Sequence, residues 1–166
     1  MNATPITPAV LLDSFRTLVA NALNMEGERV FLTPAPELLG KLPPASEAFA
    51  ALVPSGVTFE ESPQHPPICP AYLRFDVCIF SRVALDRAFD GQKLLTDSRR
   101  GLLVLADAVI RAMAGTGLEV SDAQYLRAPL QCLGLDVTRW AEGANIVLAY
   151  VVIHFHAPFL YNLAST

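Results

Sequence analysis

The stretch AYLRFDVCIFSRV (residues 71–83) alternates apolar and polar side chains with a period of two. Arg74 and Asp76 point to one side of such a strand, and the other side carries the apolar members Leu73, Phe75, Val77 and Ile79. This is the pattern of a half-buried strand. Its apolar side needs a second layer of structure to cover it, which restricts the fold to layered architectures.

Two amphipathic helices can supply that layer. The first spans residues 8–24, with Pro8 in its first turn and Gly27 beyond its end; its apolar stripe is Leu11, Phe15, Leu18, Val19, Ala22 and Leu23. The second follows from TDSRRGLLVLADAVIRAMAG (residues 96–115); its stripe is Leu102, Leu105, Ala106, Val109, Ile110 and Met113. We expect Thr96 or Asp97 as its N-cap and Gly115 as its end.

The remaining strand-like segments are mostly near the C-terminus. A short strand is predicted at residues 118–120. A hairpin is predicted from the strands at residues 129–139 and 145–156, which are joined by the turn WAEGAN. Its first strand carries Leu133, Leu135 and Val137 on one face. A short strand is also expected at residues 29–32. The sequence therefore predicts an α+β fold in one domain (residues 1–166): a mainly antiparallel sheet with two long amphipathic helices on one face.

Residues 33–70, which we call the arm, are rich in proline. Because proline lacks an amide donor, a continuous helix or a central strand is not expected there. Within the arm we predict a short helix at residues 45–53, a short strand at 57–60, and an extended, stiff loop at SPQHPPICP.

Composition limits where this protein works. Hydrophobic residues make up 52% of the chain and charged residues 17%, against roughly 25% charged in typical soluble proteins. The uncharged stretch 143–166 has an apolar part too short for the ~20 residues of a spanning helix, and no secretory signal is visible, so we expect a soluble protein without a membrane partner. The surplus apolar surface then has to enter a large core or an interface.

The three cysteines predict neither disulfides nor a zinc motif. Cys69, Cys78 and Cys132 are an odd number at wide spacing, as expected of thiols in a reducing cytosol. Cys78 and Cys132 lie in apolar runs, where buried thiols are common. Cys69 is a candidate exposed nucleophile, but nothing nearby in the sequence would lower its pKa.

Charge is distributed unevenly along the chain. The net charge is −4, which disfavours general or sequence-specific nucleic-acid binding. Residues 26–61 are acidic on balance. Residues 82–100, which we call the basic segment, carry candidate inter-subunit or tail contacts at Arg82, Arg87, Lys93, Arg99 and Arg100. Two unlike, complementary surfaces favour head-to-tail association, which can close into a ring; a solvated, mixed-charge helix entry is the simpler alternative.

His154 and His156 are the strongest candidates for chemistry. Residues two apart share a face of a strand, so both could reach one ion, but zinc needs a third protein ligand. The third histidine, His65, lies in the arm, and no metal, phosphate-binding or nucleophile motif accompanies the pair. We favour a buried strand that reaches water at its end, and we expect no metal, no cofactor and no enzymatic activity.

The order of these elements resembles a known family. The helix AVLLDSFRTLVANAL, a proline-bearing region, the strand YLRFDVCIFSR, the helix LLVLADAVIRAMAGTGL and the hairpin LGLDVTRWAEGANIVLAYVVIHF follow one another over residues 8–156. This series resembles the tail-terminator and tail-completion proteins of tailed phages and related contractile particles, in particular the minor tail proteins of Mu-like phages.

The resemblance implies a virion structural protein, made in the host cytoplasm. Its copies would form a homo-oligomer, a hexameric ring that caps the tail tube, ends tube growth and forms the joint to the head. The implied partners are the tail tube protein, the tail sheath and the head–tail connector or neck protein. Alternatives are another neck or baseplate subunit, or a small metal-binding enzyme that uses His154 and His156.

Overall fold

The computed structural model describes residues 4–34, 48–60, 68–84, 101–120, 123–142 and 146–162. The chain forms, in order, helix α1 (Pro8–Leu23), a 3-10 turn (Gly27–Arg29), strands β1 (Val30–Leu32), β2 (Phe49–Phe59) and β3 (Ile68–Ala84), helix α2 (Leu102–Met113), and strands β4 (Glu119–Val120), β5 (Ala123–Gln124), β6 (Gln131–Glu142) and β7 (Ile146–Asn162).

The strands form one five-stranded sheet in the order β1-β2-β3-β7-β6 and a separate β4-β5 pair. β1 runs parallel to β2, and the other neighbours in the main sheet are antiparallel. The long strands β3 and β7 pair along their whole length, from Ile68 opposite Asn162 to Ala84 opposite Ile146. β6 and β7 form the predicted hairpin. The α+β class with a mainly antiparallel sheet is confirmed.

Helix α1 begins at Pro8, as predicted, and Thr7 caps it by accepting a 3.5 Å hydrogen bond from the amide of Val10 at its Oγ1. It ends because Asn24 adopts the left-handed conformation (φ 50°, ψ 45°). Asparagine tolerates this conformation better than most residues. Asn24, rather than the predicted Gly27, therefore terminates the helix.

Helix α2 begins later than predicted. Its N-cap is Gly101, in an extended conformation, and no side chain caps the helix. Thr96 and Asp97 lie outside the described residues and are five and four positions before that cap, so the predicted N-cap was wrong. At the other end, Gly115 has a φ of +81°, which favours glycine, and its amide donates to the carbonyl of Leu130 at 3.0 Å.

The main core lies between the two helices and one face of the sheet. Phe15 of α1 stacks on Phe75 of β3 with ring centroids 4.8 Å apart, and Phe75 stacks on Phe155 of β7 at 5.5 Å. Burying each large apolar side chain contributes about 1.5–3 kcal/mol. The predicted stripes are confirmed in their main members, which are buried: Leu11, Phe15, Val19 and Leu23 of α1 and Leu102, Ala106, Val109 and Met113 of α2. The partly buried members pack against the same core: Leu18, Ala22, Leu105 and Ile110.

Strand β2 corrects the prediction for the arm. Residues 49–59 form one strand, where a helix over residues 45–53 and a separate strand at 57–60 were expected. Pro54 lies at a register shift of the β2–β3 ladder, between Pro54 and Gly56, where a missing amide donor is tolerated. β3 likewise begins at Ile68, inside the predicted extended loop. These parts of the arm belong to the sheet, and residues 35–47 and 61–67 lie outside the described residues.

Candidate functional site

The sheet has a second face, turned away from α1 and α2, which we call the outer face. Leu73, Phe75, Val77 and Ile79 of β3 enter the core beneath the helices, as the alternation predicted. Because successive side chains of a strand point to opposite faces, the intervening residues lie on the outer face: Tyr72, Arg74, Asp76, Cys78 and Phe80. The outer face is apolar in one half and polar in the other.

An aromatic row forms the apolar half. Phe49, Phe80 and Tyr150 are successive cross-strand partners on β2, β3 and β7. Their rings stack at centroid distances of 4.7 Å and 5.0 Å, and such pairs stabilise sheets by roughly 0.2–1 kcal/mol each. Phe49 and Phe80 are buried, and the cluster also contains Phe31, Ala51, Val53, Cys78 and Val152. The outer face thus has a small core of its own.

The polar half is centred on His154 of β7. Its Nδ1 lies 2.7 Å from Oδ1 of Asp76 on β3, and its Nε2 lies 3.1 Å from Oδ2 of Asp136 on β6. Both ring nitrogens therefore contact carboxylates, one on each neighbouring strand. We call these three side chains the histidine clip.

The sheet register explains how one imidazole reaches both neighbours. Asp76 is the direct cross-strand partner of His154, and on the other side the partner is Gly134, at a register shift between Cys132 and Gly134. A Cβ atom placed on Gly134 would lie 4.0 Å from Cδ2 of His154. This is an ordinary contact distance, so the imidazole lies over this position, and Asp136, two residues further along β6 on the same face, is within its reach.

The contacts of the histidine clip require a charged ring. A neutral imidazole has one N–H donor and one acceptor nitrogen, and a carboxylate can only accept, so both contacts are hydrogen bonds only when the ring is an imidazolium. The hydrogen bonds to Asp136 and to Asp76 raise the pKa of His154 above its usual value of 6.5, and partial burial opposes them. When the ring is protonated, the clip is one positive charge between two negative ones.

His156 has different surroundings. Its ring stacks on Tyr72 at a centroid distance of 4.5 Å, and its cross-strand partner is Arg74. Burial, and then the nearby charge of Arg74, lower the pKa of His156. His154 and His156 share a face, as predicted, but their pKa values are shifted in opposite directions.

A second ion pair lies in the polar half of the outer face, near Tyr72. Nη1 of Arg127 donates to Oε1 of Glu60 at 2.7 Å. Glu60 also accepts a hydrogen bond from the Tyr72 hydroxyl. The hydrogen bonds from Arg127 and Tyr72 lower the pKa of Glu60. The same hydrogen bond to Glu60 raises the pKa of Tyr72. The sequence did not indicate this ion pair, because 67 residues separate Glu60 from Arg127.

The geometry of the histidine clip does not create a metal site. Metal ligands converge on one point, whereas Asp76 and Asp136 contact nitrogens on opposite sides of the His154 ring. In the part of the chain that the structure describes, no group of three or more His, Cys, Asp or Glu side chains is arranged to hold an ion. His65 lies outside that part.

Two expectations about this region were wrong. His154 and His156 do not mark the end of a strand, because β7 continues to Asn162 and buries Ala157 and Phe159 beyond them. Cys69 is not exposed: it lies on β3 and only 6% of its surface is accessible. Cys78 is buried, as expected, and Cys132 is half-buried.

The basic segment lies almost entirely outside the described residues. Arg82 is placed by its backbone on β3, opposite Leu148. The other candidate contacts lie outside: Arg87, Lys93, Arg99 and Arg100. Their role in association stays a prediction.

Strand β6 presents apolar surface at the edge of the main sheet. Among the described residues it pairs with β7 on one side and with no strand on the other. Leu133 and Val137, predicted to share a face with Leu135, are 61% and 51% exposed, whereas Leu135 packs against the main core. Edge strands with exposed apolar side chains offer a surface on which another chain can pack.

A solved structure shares this fold. The chain superposes on a protein of the virion of a native gene transfer agent (GTA) particle with a TM-score of 0.52, over 87% of this chain and 93% of that one, at 16% sequence identity. No protein-family model and no curated protein matches the sequence. At this identity the likeness concerns the fold, and it agrees with the α+β class described above.

Neither helix in the described ranges combines the length and apolar character needed to cross a membrane.

Proposed function

We propose that this chain is a virion structural protein, a tail terminator whose copies form a ring at the head-proximal end of a tail tube. The observation that carries the proposal is the shared fold with a protein of the GTA virion, which extends over most of both chains. The order of helices and strands in the sequence, which resembles phage tail terminators, supports it independently. In this role the chain ends tube growth, joins the tail to the neck and needs no catalytic activity.

The surface of the chain supports assembly with other subunits. Leu133 and Val137 leave apolar area exposed on edge strand β6, and the sequence carries an acidic region and the basic segment as unlike, complementary partners. Head-to-tail contacts between unlike surfaces close into rings when the rotation between subunits allows it. A hexamer is the expected ring, with the tube protein, the sheath and the neck connector as its neighbours.

The test is to remove this chain from the particles that contain it. We expect cells that lack it to produce tubes of uncontrolled length without heads, measured as a broadened length distribution in electron micrographs. A plasmid copy of the chain should restore one length. Tubes of normal length that lack heads would instead indicate another neck subunit. Complete particles, with normal tails and heads attached, would reject a structural role in the tail.

A further inference from the structure

We propose that the histidine clip is a proton-dependent fastener of edge strand β6: it is closed while His154 is an imidazolium and opens on its Asp136 side when the ring loses a proton. The clip spans three adjacent strands, because Asp76 lies on β3, His154 on β7 and Asp136 on β6. It is thus a side-chain connection between the edge strand and the centre of the sheet, added to the backbone ladder of β6 and β7. This inference does not depend on the proposed function.

The two contacts are unequal, which decides where the clip opens. The Asp76 contact is shorter, at 2.7 Å, and only 28% of that side chain is exposed. The Asp136 contact is 3.1 Å long, and 74% of that side chain is exposed. A neutral ring keeps one N–H. This proton stays on Nδ1, where it is donated to Asp76 in the shorter and less exposed of the two contacts. The lone pair of Nε2 then faces the Asp136 carboxylate, which turns towards water.

Among the groups that face one another in this region, His154 is the one that gains and loses the proton. Facing it are Asp76 from β3, Asp136 from β6 and, next along its own strand, His156, which is paired with Arg74. Burial and Arg74 favour the neutral form of His156. A neutral His156 does not compete with His154 for the two carboxylates, so protons bind preferentially to the clip.

Opening of the clip has a local consequence for β6. In the described residues this strand has a neighbour on one side only, and its exposed Leu133 and Val137 flank Asp136. Loss of a cross-strand contact at this position lowers the free energy needed to open β6 locally without unfolding the core. The pH therefore sets how firmly the edge strand is held.

The experiment uses the full chain and two NMR measurements between pH 5.5 and 9. Imidazole 15N spectra should show both His154 nitrogens protonated at the low-pH end and a titration midpoint above the ordinary value of 6.5. Amide exchange of residues 135–137, corrected for the intrinsic rise of exchange with pH, should lose protection by roughly fivefold across the same titration, a factor that corresponds to about 1 kcal/mol. Amides in the centre of β3 should keep theirs.

Asp136→Asn is the diagnostic variant. An asparagine side chain can donate to the neutral Nε2 while Nδ1–H donates to Asp76, so the contact survives deprotonation. We expect the pKa of His154 to fall in this variant and the protection of β6 to become independent of pH. His156→Gln, two positions away on the same face, is the matched control and should keep the pH dependence of the wild type.

Three results would overturn the proposal. The first is a wild-type His154 whose titration midpoint lies at or below 6.5. The second is an Asp136→Asn protein with the same pH-dependent loss of protection as the wild type. The third is loss of the pH dependence in His156→Gln. The wild-type measurement stands without either variant, so a variant that fails to fold leaves the test intact.

Discussion

Asp76 and His154 are direct cross-strand partners whose side chains meet with 2.7 Å between Oδ1 and Nδ1. They lie on the outer face, at the centre of the two longest strands, where the sheet changes from an aromatic row to a polar cluster. The pair ties together segments that are 78 residues apart in sequence. Its strength depends on the charge of one histidine, and this makes it testable by pH.

Replacing Asp76 by asparagine should destabilise the protein at low pH more than at high pH. The folded pKa of His154 is raised above the unfolded value of about 6.5. The stabilisation is therefore fully present below pH 6.5 and is lost as the pH rises through the folded pKa. Because His154 is partly exposed, we expect Asp76→Asn to cost about 1 kcal/mol at pH 5.5 and less at pH 8.5, measured by urea unfolding.

Asp107→Asn provides the comparison for this effect. Asp107 accepts a 2.7 Å hydrogen bond from Arg111 on the exposed face of α2, and the pair contains no histidine. Its loss should have little effect on the free energy of unfolding at either pH value, because solvent screens an exposed pair of this kind. Equal losses for Asp76→Asn at pH 5.5 and 8.5 would show that the raised pKa of His154 does not stabilise the fold.

Truncation of Phe75 should be among the most damaging changes in the core. Its ring lies between those of Phe15 and Phe155, and only 1% of its surface is accessible. Phe75→Ala removes both stacking contacts and leaves a cavity, for a loss of about 3–5 kcal/mol in the free energy of unfolding. Val10→Ala on α1, at a position 55% exposed, should change it by no more than about 0.5 kcal/mol. A loss below about 1 kcal/mol for Phe75→Ala would contradict the placement of the helices over this face.

The sequence predicted the elements whose pattern is local. Periods of two and of three to four identified β3 and both helices, because residues 71–77 of β3 and each helix present one buried side, and the turn between two apolar runs identified the β6–β7 hairpin. β2 was missed since Phe49, Ala51 and Val53 are buried on one face and Ala50 and Leu52 on the other. A strand covered on both faces has no alternation to detect.

The histidine clip could be predicted only in part. The shared face of His154 and His156 followed from their spacing, but the partners of His154 depend on strand order and register. Asp136 reaches the ring because the β6–β7 register shifts near Gly134, and no periodic pattern records such a shift. The continuation of β7 past His156 was missed for a related reason. Two polar residues within a central strand give the same sequence pattern as a strand that ends at the surface.

Gly115 should resist substitution because of its backbone. Its φ of +81° is a conformation that residues with a Cβ atom adopt at a cost of about 1–2 kcal/mol. We expect Gly115→Ala to lower the free energy of unfolding by this amount, measured by denaturant titration. At Gly27 a Cβ would meet nothing within 4 Å and φ is not positive, so Gly27→Ala should be nearly neutral. Equal effects at the two positions would argue against the left-handed turn after α2.

Charge reversal in the basic segment tests the proposed assembly. Native mass spectrometry of the wild type, in chelator and then with zinc, should give hexamers that do not depend on metal. Arg99→Glu with Arg100→Glu should shift them towards monomers while the thermal midpoint of the monomer stays unchanged, because reversed charges repel the acidic surface of the neighbour. Arg16→Glu with Arg111→Glu reverses the same number of charges on α1 and α2 and should leave the hexamer intact. An intact hexamer in the first variant would show that Arg99 and Arg100 do not contribute to the interface. A wild-type monomer that binds one zinc ion tightly would favour the metal-binding alternative over a ring.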